Sequence, residues 1–193
     1  MLAHIILWAL ADVFQSIVDP SHPQYHSETY REELESLEHD LESILSGKHV
    51  SKADRIDFGT TKSSTRSVAI LEVYRLAALI YLERASRNFS GTSPKLDAWV
   101  GAAYDLLAAL DVCKHGFPVF IIACEARTDA QRIIILDCLG RTKRAMPTAS
   151  MKILQGMIQS AWSLEDLETE REVDYMTKLD VVVSGCETMP SFA

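Results

Sequence analysis

Glu125 closes the apolar run Phe117-Pro118-Val119-Phe120-Ile121-Ile122-Ala123-Cys124 and precedes Ala126-Arg127. A carboxylate at the end of a buried run must be paired or hydrogen-bonded, because removing it from water alone is costly. The cations near it in sequence are Arg127 and Arg132. The expectation is therefore a structural ion pair among Glu125, Arg127 and Arg132, in preference to a catalytic acid.

A second acidic group gathers Glu165, Asp166 and Glu168, then Glu172 and Asp174. Carboxylates so spaced raise the chemistry of a magnesium ion held against a diphosphate, as in an all-α prenyl-diphosphate enzyme. The dense aspartate-rich motif of such a site is missing, and a solvated helical face accounts for the charges more simply. Metal ligation finds little else. The histidines at positions 4, 22, 26, 39, 49 and 115 form no close-set ligand pairs: Pro23 separates His22 from His26, and Cys113 and His115 have no second pair nearby. The four cysteines, Cys113, Cys124, Cys138 and Cys186, contain no Cys-x-x-Cys pair. They read as reduced, small hydrophobes in a reducing compartment. Neither a phosphate-binding loop nor a dinucleotide fingerprint can be written on the chain, and Ser150 and Ser184 lack a nucleophile-elbow context. The basic turn of Arg141, Lys143 and Arg144 fits a helix C-terminus, where cations favour the dipole. The chain is read as non-enzymatic, with no catalytic residue, no metal and no cofactor.

The elements that would carry these residues are helices. Met1 to Phe14 is apolar, but Asp12 interrupts the run and no Lys/Arg-rich leader precedes it. A packed core helix ending near Asp19-Pro20 is expected, not a targeting segment or a membrane span. Thr29 and Glu32 suggest a capping box opening an amphipathic helix through Leu34, Leu37, Leu41 and Ile44, with Gly47 as its stop. Residues 49–67 are polar and read as a loop. A long helix follows over 67–87 and is broken at Ser90-Gly91-Thr92. Ser93 and Pro94 supply the cap and first position of the next helix, which is expected to run to Gly116. The run at 117–124 is apolar all round, so periodicity alone leaves strand and helix open. Pro118, Ala123 and Ala126 tilt it toward helix. Thr128 and Gln131 form a second capping-box pattern, Pro147-Thr148 opens a helix carrying Met151, Leu154, Met157, Ile158 and Trp162, and 173–183 adds a last one before Gly185. No sustained period-two alternation appears. The fold class is all-α, an irregular multi-helix bundle occupying 1–193 as one domain with a polar loop at 49–67.

Composition agrees. With 48% hydrophobic residues in 193, a core needs no metal or disulfide, and only 8 glycines and 6 prolines disfavour a turn-rich sandwich. The net charge of −8 is opposite to a nucleic-acid footprint, so direct nucleic-acid binding by this chain is not expected.

The stretch from Gly116 to Thr128, GFPVFIIACEART, resembles a segment of the fungal-specific transcription factor domain. There an aromatic–proline pair leads an apolar run into a Cys-Glu-Ala-like turn, and the next helix starts with Thr and carries an Arg, here Thr128 and Arg132. Trp162 matches a helix-closing tryptophan of the family, and Met189-Pro190 with Phe192 matches its closing pattern. The resemblance is clearest from Trp99 onward. It implies a helical regulatory region that in such factors lies C-terminal to a six-cysteine zinc cluster reading DNA. This chain has four scattered cysteines. The expectation is therefore a regulatory region without that head: a fragment, a truncated product or a stand-alone adaptor. The resemblance implies work in the nucleus through protein partners, self-association or a small effector; without it the expected location is the cytoplasm. Tyr74, Tyr81, Trp99 and Trp162 are candidate lining residues of an effector pocket between helices, although ordinary core packing also accounts for them.

Overall fold

The computed structural model describes residues 2–44, 61–167 and 174–185, and among these every regular element is an α-helix. In chain order they are α1 (Leu2–Ser16), α2 (Glu28–Ser43), α3 (Thr61–Arg87), α4 (Pro94–Ala109), α5 (Gly116–Ala123), α6 (Asp129–Ala145), α7 (Ala149–Leu167) and α8 (Tyr175–Ser184). The fold is an all-α irregular bundle, as the patterning of the sequence implies.

α3 is the axis. Leu76, Ala77, Ala78, Leu79 and Ile80 are consecutive and all buried, which an α-helix permits only when it is covered on every side. One side, with Val73, Leu76, Ala77 and Ile80, faces the larger core built with α4–α8. The other, with Tyr74, Ala78, Leu79 and Leu82, faces a smaller core with Ile6, Leu10 and Val13 of α1 and Leu41 of α2. α5 is the second central element. Seven of its eight residues are buried, all but Phe117, and it packs against α3, α4, α6 and α7. The run whose periodicity is uninformative is thus a helix enclosed all round. Pro118 sits in its first turn, where a missing amide donor leaves no intrahelical bond unmade.

Helix starts follow local chemistry, with some differences from the sequence reading. Ser93 caps α4 by accepting from the Leu96 amide, and Thr128 and Gln131 form the reciprocal capping box of α6. The cap of α2 is Ser27, whose hydroxyl accepts from the Tyr30 amide at 3.2 Å. The expected Thr29 lies inside the first turn, because the helix begins one residue after Ser27. α4 ends at Ala109, not near Gly116: Leu110 turns extended at ψ 126, and Gly116 opens α5. Residues 61–67, expected as loop, are the first turns of α3. Arg66 there donates to the Val112 carbonyl at 3.3 Å, anchoring this polar extension to the α4–α5 connection. The rest of that expected loop, 49–60, lies outside the described residues, as do Gly47, Glu168, Glu172, Cys186, Met189, Pro190 and Phe192.

α3 stops at Asn88, whose φ is 45°. The Phe89 amide reaches back to the Arg84 carbonyl at 3.0 Å and the Asn88 amide to Ala85 at 3.3 Å. This is a Schellman turn with asparagine in the left-handed position that glycine usually fills. Its geometry delivers Arg84 and the 88–91 segment to the site below.

Candidate functional site

The last turn of α3, the α5–α6 turn, α7 and α8 converge on one polar cluster inside an apolar surround. At its centre are Arg84 and Glu125, whose side chains are 3% and 4% exposed. Arg84 Nε donates to Glu125 Oε1 at 2.9 Å and Nη2 to Oε2 at 2.6 Å, a side-on bidentate pair. Arg84 Nη1 donates to the carbonyls of Phe89 and Gly91 at 2.8 and 2.5 Å. The guanidinium therefore ties the end of α3, the following loop and the α5–α6 turn into one unit. Burial opposes its charge, but the contact with Glu125 outweighs this and raises its proton affinity.

Glu125 is thus a structural ion-pair carboxylate, but its partner is Arg84 and not the arginines near it in sequence. Arg127 is exposed and donates to the Ser90 carbonyl at 2.8 Å. Arg132 forms its own bidentate bridge to Asp166 at 2.6 and 2.8 Å and lies 5.4 Å over the Trp162 ring. The reason is helical direction: Glu125 and Arg127 lie two apart in a turn whose side chains diverge, whereas α3 brings Arg84 alongside α5.

Trp162 completes the cluster's floor. Its Nε1 donates to the Ala123 carbonyl at 2.8 Å, a second donor to an acceptor that the Ala126 amide also meets, at 3.1 Å. The Tyr104 hydroxyl does the same for Ile122 at 3.1 Å. Beside the ion pair lies a cavity of about 40 Å³ whose lining includes Cys124, Glu125, Arg127, Tyr175 and Lys178. Tyr175, the first residue of α8, is only 6% exposed, and among the described residues its hydroxyl meets no hydrogen-bond partner. Burial above all, then Cys124 and Glu125, holds that hydroxyl in its protonated form. Burial likewise pushes the Cys124 thiol well up.

The other candidate aromatics are dispersed. The Tyr74 hydroxyl meets His115 Nδ1 at 2.9 Å, Tyr81 packs tilted on Phe14 and edge-on to Phe117 and Tyr175, and the Trp99 ring lies under Lys95 at 4.8 Å. With Trp162 they serve the two cores at separate points, and none lines the cavity beside Arg84. The acidic group is divided too: Asp166 is engaged by Arg132, and Glu165 accepts from Lys178 at 2.6 Å. Among the described residues no three His, Cys, Asp or Glu side chains are grouped as metal ligands would be. Nor is any described helix long and apolar enough to cross a membrane.

Comparison with known proteins adds the decisive observation. The fungal specific transcription factor domain family matches residues 5–188, nearly the whole chain. The chain belongs to that family. The transcription factor iacI of Pestalotiopsis fici is 31% identical over 123 residues, which is 64% of this chain. The match spans about a third, 32%, of that relative's length. No solved structure matches the chain.

In this fungal transcription factor domain the segment that carries the resemblance, Gly116–Thr128, is the enclosed helix α5, the Glu125 turn and the cap of α6. Its residues are held by other parts of the bundle: Ala123 receives Trp162, Glu125 receives Arg84, and Thr128 exchanges hydrogen bonds with Gln131. Sequence reasoning missed Arg84 and Tyr175. A faint signal existed for the first, an arginine amid Leu82, Ala85 and the apolar face of α3. The second gave none, since a tyrosine at a helix start is unremarkable until its surroundings are known.

Proposed function

We propose that the chain is a non-catalytic regulatory module of transcription control, acting in the nucleus through protein contacts and the response of its bundle to a bound effector. The observation that carries this reading is the family match across nearly the whole bundle, from residue 5 to 188. The chemistry of the interior supports the non-catalytic part. The most deeply buried charges, Arg84 and Glu125, are directed at each other, and the acidic residues near α8 are bridged to Arg132 and Lys178. Groups so engaged serve architecture in preference to a reacting substrate. The contact part draws on Ile133 and Leu136, apolar side chains one turn apart on α6 that are 59% and 40% exposed.

The test is to fuse the chain to a heterologous DNA-binding domain, with and without a constitutive activation segment, over a reporter in a fungal cell. A change in reporter output relative to the DNA-binding domain alone, with nuclear accumulation of a fluorescent fusion, is the expected result. Unchanged output in both formats from a folded, nuclear fusion would overturn the reading.

A further inference from the structure

The Tyr175 hydroxyl is a buried donor without an acceptor among the described residues, and it borders a cavity. Native interiors rarely leave such a group unmet, because burying an unmade hydrogen bond is costly. None of the described residues supplies the missing acceptor, and the adjoining cavity leaves room for a bound group that could. The charges around the cavity indicate its kind. Arg84 is neutralised by Glu125, and Lys178 by Glu165. Arg127 donates to backbone carbonyls of the 90–91 loop, and no carboxylate among the described residues lies within ion-pair distance of it. Among the described residues the lining thus carries one positive charge beyond balance, Arg127 at its exposed rim, and a hydrogen-bond donor at its floor.

We propose that this cavity binds the carboxylate head of a small organic acid, with one oxygen accepting from the Tyr175 hydroxyl and the charge facing Arg127. At about 40 Å³ the space suits a group of two or three non-hydrogen atoms, or a few waters. Any longer tail extends outward past Arg127 and Lys178. The position couples binding to shape. Tyr175 opens α8, which packs on α7 and α3, while Glu125 and Arg127 belong to the α5–α6 turn. A carboxylate held between them joins α8 to the centre of the bundle, which is the differential contact an effector needs to shift an equilibrium. The regulatory consequence rests on the reading above; the binding itself does not.

The experiment follows thermal unfolding of the purified chain in sodium butyrate, in sodium chloride of equal ionic strength, and in butyramide. A saturable rise in melting temperature with butyrate alone is expected. Tyr175→Phe removes only the oxygen, so its ligand-free melting temperature should equal or exceed the unaltered chain's, while butyrate affinity falls roughly 10- to 100-fold. Arg127→Gln should weaken butyrate and leave any response to butyramide unchanged. Three outcomes would each overturn the proposal: no saturable response to butyrate, equal responses to butyrate and butyramide, or an unaltered response in Tyr175→Phe, which would mark the cavity as a water site. A chain that binds butyrate but leaves the reporter silent would keep the site and remove the regulatory reading; the converse would separate them the other way.

Discussion

Arg84 and Glu125 lie forty-one positions apart and meet side-on, both nitrogens of one edge of the guanidinium on both oxygens of the carboxylate. Neither reaches solvent to any useful extent. Removing one partner leaves the other as an uncompensated buried charge, so Glu125→Ala or Arg84→Ala should destabilise the chain by about 3–5 kcal/mol. The double change Arg84→Met with Glu125→Leu should be more stable than either single variant, since it removes both desolvation costs. It will still fall short of the starting chain, because the Phe89 and Gly91 carbonyls lose their donor. Urea denaturation of the four proteins measures this, and single-variant losses below about 1 kcal/mol would show that the pair is not buried as described.

The start of α2 offers a test between two adjacent hydroxyls. Ser27 accepts the Tyr30 amide, whereas Thr29 lies within the first turn and, among the described residues, its hydroxyl hydrogen-bonds the Ser27 hydroxyl at 3.1 Å. Ser27→Ala should cost about 1 kcal/mol and Thr29→Ala less than about 0.5 kcal/mol. Reversal of that order would restore the cap that the Thr29–Glu32 spacing suggests.

His115 gives the chain an acid-sensitive element. Burial first, and Lys114 second, lower its affinity for a proton below the ordinary value of 6.5. The unfolded chain therefore takes up this proton at a higher pH than the folded one. The contribution is complete above 6.5 and is lost as pH falls through that value toward the lower folded one. His115→Gln should flatten the stability profile in this window. An unchanged slope would mean that the ring titrates as freely in the folded chain as in the unfolded one.

Asn88 joins two roles, a left-handed backbone and an anchor, since its Oδ1 accepts from the Met176 amide at 2.9 Å. Asn88→Gly keeps the first and removes the second. Amide exchange at Met176 and Thr177 should accelerate while α3 stays protected. Asn88→Ala loses both and should be the less stable by about 1 kcal/mol. Equal exchange at α8 in the glycine variant would show that another contact secures it.

How much of this was legible beforehand depends on the range of the interaction responsible. The caps at Ser93 and Thr128 were legible because a cap and its amide lie within three residues. The helical class was legible because apolar residues recur at helical spacing along most segments, whereas the run that forms α5 is apolar all round and offers no period. The need of Glu125 for a cation followed from its buried position, but the cation did not, since the choice of Arg84 over Arg127 is made by the packing of α3 on α5. Gly116 misled because glycine ends helices more often than it opens them, and here α4 had already ended at Ala109. The scattered placement of Tyr74, Tyr81, Trp99 and Trp162 could not be read at all, since their types suit a pocket wall and a core equally.

The enclosure of α5 bears on how the protein is made. A ribosome releases Gly116–Ala123 before α6 and α7, the helices that complete its coat and supply the indole for Ala123. Until some forty further residues have emerged, the most water-averse octet of the molecule has only half its shelter. During translation, before that coat closes, this exposed octet is the kind of surface that chaperones shield and that aggregation threatens.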